Sequence, residues 1–376
     1  MFIPPFCPNS SCYLHSGRMP PYRWYTGDGH HHTKAFGQVP RFRCLLCGKT
    51  FSTQTFSVDY YAKKTVPYED LRARHSGSMC LRAIARSMGL STGSVQNRLD
   101  RLARQAIAAH AKLRPSLDRR DPVCIDGFVS FDTSQYFPSE VTISVTSSSQ
   151  VVLDLSHATR RRSGVMTEAQ KERAELLYEG FTFEHDAVAR TFKDVFDISS
   201  RERPPERYRP FIVITDEKRE YRRVVRGSEL WLKQDEEHRV IHLTVPSILP
   251  RTVQNPLFPS NYIDREIRKD QANHHRETTC FNRSVANGMG RLALYLIDHN
   301  YRKKFRIKAP VRNKRVHGEV GGIPRALIDR VLRAASHKRA FLSRLKLEPC
   351  FERIWKKDFL TPGMVHPEPL PAYALG

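Results

Sequence analysis

The sequence predicts an α/β multi-domain chain, on three observations. Four of the eight cysteines fall within the first 47 residues as two pairs. A helical apolar periodicity runs from Glu69 to about Lys112. From Val123 onward, short apolar runs of strand length alternate with helical segments. With 376 residues, 40% of them hydrophobic, the chain is long enough for two or three domains and a sizeable core. The expected units are residues 1–60, 66–113, 120–300 and 301–376.

In the first unit Cys7 and Cys12 stand as C-x4-C, and Cys44 and Cys47 as C-x2-C. Thiolates on two tight turns can converge on a tetrahedral zinc ion, so this unit reads as a zinc ribbon. Gly48, directly after the second pair, supplies the left-handed backbone that such a knuckle uses. Tyr22, Trp24, Tyr25, Phe36, Phe42 and Phe51 make the intervening stretch aromatic and strand-like. A lobe this small cannot bury enough core by itself, and the metal is expected to supply its folding energy. Four thiolates leave no open coordination position, so the zinc is structural. His15 and the run His30, His31, His32 are competing ligands, expected instead to be solvated loop residues.

In the second unit Leu81, Ile84, Ala85 and Met88 fall at i, i+3, i+4, i+7 and form one apolar face. Gly89 ends that helix, and Ser91 or Thr92 caps the next. There Val95, Leu99, Leu102 and Ala106 form a stripe, while Gln96, Asn97, Arg98, Arg101 and Arg104 occupy the other side. Two helices joined by a short Gly-containing turn, the second one basic, fit a helix-turn-helix. Ser94, Gln96, Asn97, Arg98, Arg101 and Arg104 are the expected DNA contacts. The 62 Lys+Arg against 39 Asp+Glu give a formal net charge of +23, which points to a polyanionic partner, double-stranded DNA.

No run of 18 apolar residues exists, so no membrane span is expected. The opening MFIPPFCPNSSC lacks a basic n-region and is not read as a signal peptide. Clustered cysteines in a cytosolic chain point to metal before disulfide, leaving Cys80, Cys124, Cys280 and Cys350 as plain thiols.

The third unit opens with VCIDGFVSF, a strand carrying Asp126, followed by strands Val141–Val145 and Val151–Leu155 as an antiparallel meander. Helices are expected over Met166–Glu179 and His185–Phe196. A Pro-rich basic loop, RERPPERYRP, leads into FIVIT, a continuous apolar run of the buried-strand kind, with Asp216 immediately after it. A helix over Glu217–Val225 and a strand over Arg239–Val245 follow. Then NYIDREIRKDQANHH reads as a helix with Asp264 in its first turn. Helices over Asn282–His299 and Ile323–Leu345 follow, separated by the basic stretch YRKKFRIKAPVRNKR with Tyr301 and Phe305 interleaved.

Three acids thus stand at the ends of strands or near the start of a helix, where ligand sites open in α/β sheets. Phosphodiester chemistry puts charge on an attacking and a leaving oxygen. Two Mg²⁺ or Mn²⁺ ions about 3.5–4 Å apart stabilise both, and hard cations take oxygen ligands. Asp126, Asp216 and Asp264 are therefore the candidate catalytic and magnesium-binding residues, with Glu266 and Glu277 as alternatives for the third acid and Asp132 as a weaker rival to Asp126. No GxxxxGK[ST] loop and no Ser-His-Asp pattern points to P-loop ATP hydrolysis or acyl transfer.

The order strand with Asp, two strands, helices, strand with Asp, helix, strand, helix with Asp is similar to that of the ribonuclease-H-like fold. The chain as a whole resembles IS1-like and related insertion-sequence DDE transposases. The resemblance spans about residues 1 to 305 and is carried by the N-terminal Cys pairs, the helix-turn-helix, VCIDGF with SQYFP, TRRRSGVMTEAQKER, FIVITDEKREY and NPLFPSNYIDREIRKDQANHHRETTCFNRS. It implies Asp126, Asp216 and Asp264 as the metal triad of a polynucleotidyl transferase in the prokaryotic cytoplasm, on the nucleoid. It also implies terminal inverted repeats as the bound DNA and strand cleavage followed by strand transfer, by a dimer or larger assembly. Arg160, Arg161 and Arg162, in an expanded connection over about 157–210, and Arg268 and Arg276, beside the third acid, are further candidate DNA contacts. A catalytically inactive DNA-binding regulator and a metal-dependent nuclease without strand transfer are the alternatives.

Overall fold

A computed structural model of the chain describes residues 2–17, 20–201, 209–232, 239–274, 280–306, 308, 310 and 314–374. It is a mixed α/β structure with a mixed sheet and a four-cysteine cluster near its N-terminus.

A short helix α1 (Tyr13–Ser16) precedes a three-stranded antiparallel sheet of β1 (Tyr25–Thr33), β2 (Gly37–Cys44) and β3 (Thr50–Ser52). Phe42 pairs with Phe51, and Trp24 stacks on Phe51 at 5.9 Å. Cross-strand aromatics and the cysteines make up nearly all the core of this lobe. Its last member comes from far along the chain: Phe341 packs among Phe6, His15 and Phe56. His15 is buried, bonded through Nδ1 to the Cys7 carbonyl and through Nε2 to Ser343 Oγ. It is a structural link, not the solvated loop residue expected. His30, His31 and His32 lie within strand β1 rather than in a loop.

Three helices follow: α2 (Tyr68–Ser76), α3 (Leu81–Ser87) and α4 (Thr92–Leu113). Ser91 caps α4 by accepting from the Ser94 amide at 3.2 Å. The sheet proper is built from β4 (Val123–Phe131), β5 (Pro138–Thr146), β6 (Val152–Thr159), β7 (Phe211–Thr215) and β8 (Val240–Thr244), in the order β6-β5-β4-β7-β8. β4, β5 and β6 are an antiparallel meander, and β7 and β8 run parallel to β4 and to each other. The helices α5 (Glu168–Tyr178) and α6 (Ala187–Arg201) connect β6 to β7, and α7 (Arg219–Gly227) and α8 (Glu229–Leu232) connect β7 to β8. After β8 come α9 (Phe258–Asp270), α10 (Val285–Tyr301), α11 (His317–Val320), α12 (Arg325–His337) and α13 (Pro349–Lys356).

β5 and β6 are buried on both faces. On one face α6 reaches the sheet through polar pairs, Thr142–Thr191 at 2.8 Å and Ser156–Asp194 at 2.8 Å. On the other, His110 of α4 meets the Leu153 carbonyl, and Asn300 of α10 bonds both the amide and the carbonyl of Val152. Buried polar groups must find partners, which is why these strands carry Thr, Ser and Asp among their apolar residues. A single core runs from Leu71 to Phe359, with α4 at its centre. Tyr301, the first residue of the basic stretch, is part of it, buried with its hydroxyl at 2.8 Å from His110 Nδ1. No helix of the described residues is long and apolar enough to cross a membrane.

Candidate active site and metal centre

The four cysteines Cys7, Cys12, Cys44 and Cys47 converge, with all sulfurs within 4.8 Å of one another. They lie on two knuckles: the Cys12 amide donates to Asn9, and the Gly48 amide to the Cys44 carbonyl. Gly48 has φ +71°, the left-handed turn expected of it. Burial raises the Cys7 and Cys12 thiols. At Cys47 burial opposes ionisation, but the Lys49 amide, Asn9 and the neighbouring thiols outweigh it and bring the group down to about 7. Four convergent sulfurs, three of them buried, form a closed tetrahedral donor set that could bind structural zinc.

The parallel ladder between β4 and β7 is short, ending at Cys124 and Ile214. Two residues beyond that pair, Asp126 lies within β4 and Asp216 just past the end of β7, on the two sides of the fork where the pairing stops. Lys218 lies between them, its ammonium 3.3 Å from Asp126 Oδ1 and 3.4 Å from Asp216 Oδ2. Asp216 also accepts the Lys218 amide at 3.0 Å, which sets the turn into α7. Asp264 reaches the same region from α9. Burial raises its carboxyl to about 7, with the Asp126 charge adding to the effect. Burial likewise raises Asp126, opposed by Lys218 and reinforced by Asp216. Raised carboxyls that feel each other's charge are short of positive charge, and such a donor set fits a hard divalent cation. Among the described residues only the cysteine cluster has three or more ligand atoms within 4.8 Å of one another, so the three acids stand further apart than that.

The helix α9 begins at Phe258, so Asp264 sits in its second turn and not its first. Glu266 is excluded as the third acid. Two residues along an α-helix rotate by about 200°, which turns it away from Asp264. It is buried and bonded to Lys303 and, at 3.3 Å, to Lys269. Asp132 is also spoken for: fully buried, it accepts from His157 Nε2 and Thr159 Oγ1, both at 2.9 Å. Glu277 and Arg276 lie outside the described residues.

A cavity of about 440 Å³ opens beside Asp264, lined by Arg251, Phe258, Asn261, Tyr262, Arg265 and Arg268. Of these only Arg268 was anticipated from sequence. Arg160 pairs with Glu140 at 2.6 Å, Arg162 donates to Gln135 at 3.0 Å, and Arg161 is exposed, over the rings of Tyr178 and Phe183.

The structure corrects the assignment of Arg98, Arg101 and Arg104 to DNA. All three are buried, and they donate to the carbonyls of Lys64 (2.5 Å), Val58 (2.8 Å) and Trp355 (3.0 Å). Asn97 bonds Arg101 and Tyr373, and Gln96 bonds Asp100 and Arg291. Of the six α4 residues only Ser94 stays exposed. The basic side of the helix faces protein carbonyls, which as buried acceptors need hydrogen-bond donors. Arg101→Ala should therefore lower stability by about 2–4 kcal/mol, because it strands buried acceptors. Any DNA affinity that the folded parent shows should stay within about twofold. Urea unfolding and fluorescence anisotropy would check both. Much weaker DNA binding at an unchanged unfolding midpoint would restore the contact role.

Lys218, Tyr221, Glu140 and Gly127 surround Asp126 and were not singled out from sequence. The only local signal is the lysine two positions after Asp216. No family model matches the chain, and no curated protein matches it.

Proposed function

We propose that this chain is a DNA transposase of the DDE type, with a ribonuclease-H-like catalytic domain, related to the IS1-like insertion sequences. One observation carries the proposal: Asp126 and Asp216 stand on the two sides of the fork between the central parallel strands, both held to Lys218, and Asp264, on the helix after the last strand, lies near enough for the Asp126 charge to act on it. The sheet order β6-β5-β4-β7-β8, a meander followed by two parallel strands, supports the same domain. Asp126, Asp216 and Asp264 would hold Mg²⁺, which when bound supplies Lewis-acid activation of a phosphate oxygen and of the attacking hydroxyl. Arg251, Arg265 and Arg268, next to Asp264, would grip the phosphates flanking the reacting one. The net charge of +23 favours a long polyanion over a small substrate.

The test is Mg²⁺-dependent cleavage and joining of supercoiled DNA carrying candidate element ends, with Asp216→Ala beside the parent. Parent activity with cleavage and joining, and a variant that binds but does not cut, supports the proposal. Cleavage without joining would make the protein a nuclease. Equal binding with no cleavage by either protein, in Mg²⁺ or Mn²⁺, would make it a regulator that keeps the domain as scaffold.

A further inference from the structure

We propose that Lys218 is a displaceable internal cation of the acidic site, and that Glu140 is its second seat. The inference rests on the reading of Asp126 and Asp216 as carboxylates that receive a divalent cation, and it concerns what this chain's own residues do when that happens.

The Lys218 ammonium contacts Asp126 at 3.3 Å, Asp216 at 3.4 Å and the Tyr221 hydroxyl at 3.0 Å. It stands where a cation shared by the two aspartates has to stand. Two positive charges cannot share so short a space at low dielectric, so Lys218 leaves the pair when the site fills. The Lys218 side chain is 36% exposed, so its displaced ammonium has water on one side, and an inner acceptor takes it only if one lies within reach.

Glu140 is that acceptor. It is 1% exposed, and its Oε2 takes Arg160 at 2.6 Å. Its Oε1 is buried with no hydrogen-bond partner among the described residues. A carboxylate oxygen left bare in a core is uncommon and calls for an explanation. It fits there because residue 127 is glycine. A Cβ there would lie 2.0 Å from Glu140 Oε1 and 3.0 Å from the Tyr221 hydroxyl. The glycine next to Asp126 thus lets the bare oxygen and the tyrosine hydroxyl approach the same point. Tyr221 is fully buried and stacked on Phe192 at 4.2 Å, which holds its hydroxyl in place. Lys218 can keep that hydroxyl as a pivot while it exchanges the aspartate pair for Glu140. A flexible stem with three rotatable donors suits such an exchange, and a rigid guanidinium does not. Lys218 and Glu140 are positioning residues on this view, and cation affinity reflects the exchange as well as the acids.

The test is calorimetric titration of the full-length protein with Mn²⁺, without DNA. Lys218→Met should bind Mn²⁺ about tenfold tighter than the parent, because no competitor has to leave. Glu140→Gln should bind about fivefold weaker, because the displaced lysine loses its seat, and should change nothing in the Lys218→Met background. Lys218→Gln is the second neutral variant should Lys218→Met fail to fold, and circular dichroism identifies that case. Equal or weaker binding by the neutral variants, or a Glu140→Gln effect that persists without Lys218, would overturn the proposal. Asp126→Asn separates the two levels of inference. If it binds Mn²⁺ as well as the parent does, or if no form binds Mn²⁺, the acids are not the cation's ligands. In that case the functional reading falls, and this proposal with it.

Discussion

Asp264→Asn should abolish the metal-dependent DNA cleavage proposed above and, in the absence of divalent metal, make the protein more stable. The loss of activity should be at least about 10²–10³-fold, as for removal of a preorganised group that stabilises transition-state charge. The gain in stability follows from the same burial. The Asp264 carboxyl is raised to about 7, first by burial and then by Asp126. A carboxyl whose folded value exceeds its unfolded one contributes stability that is present below about pH 4 and lost as pH rises through about 7. At pH 8 the parent therefore carries an ionised group at a cost that the amide avoids. In EDTA at pH 8 the variant should melt about 1–3 °C higher, and the difference should shrink toward pH 5. Parent cleavage at limiting Mg²⁺ should rise with pH through about 7, and higher Mg²⁺ should move that limb to lower pH, because the cation competes with the proton. A variant that melts lower than the parent at pH 8 would show that Asp264 is a structural acid.

Cys44→Ser should empty the zinc centre and unfold the N-terminal lobe. Cys44 is 1% exposed, and its sulfur is one of four that lie within 4.8 Å of each other. Zinc content measured by plasma mass spectrometry should fall from about one ion per chain to a small fraction of that. Binding of structural zinc by small domains is worth about 10–16 kcal/mol, more than a lobe with so few core residues can hold without it. The structure adds a second readout. Phe341 and Ser343 complete the lobe from the far end of the chain, and Arg344 bonds the His15 carbonyl over the Phe6 ring. Hydrogen exchange should therefore quicken over 337–345 as well as over 2–56. An effect confined to the first 56 residues would mean that the C-terminal segment is held by other contacts.

Much of the fold was legible because its signals are local. VCIDGFVSF and FIVIT are strands over the spans that their apolar runs mark. The other two meander strands run beyond their apolar cores. β5 and β6 extend through Ser139, Glu140, Ser156 and His157, polar residues that are buried because helices cover both faces. Hydropathy alone ends a strand at its first polar residue, and only the covering helices show that such a residue is inside. The acids were legible by position, each following an apolar run or lying in the late helix. The choice between Asp264 and Glu266 was not, since it depends on which side of α9 meets the sheet.

The basic side of α4 is ambiguous in sequence for a related reason. An arginine row opposite an apolar stripe looks the same whether it faces phosphates or carbonyls. Val58, Lys64 and Trp355 supply those carbonyls from other segments, and no spacing along α4 reports them. Lys218 meets Asp126 across 92 residues, and Glu140 fills the space that Gly127 leaves. The sequence by itself determined the converging cysteines, the succession of strands and helices, and the place of Asp126 within one strand and of Asp216 just after another. All of these follow from the geometry of neighbouring residues along one backbone. Only the tertiary structure decided which charges are covered, which acid turns toward the fork and which cation stands between the aspartates. The partners of a polar side chain come from distant segments, and their identity depends on how the whole chain packs.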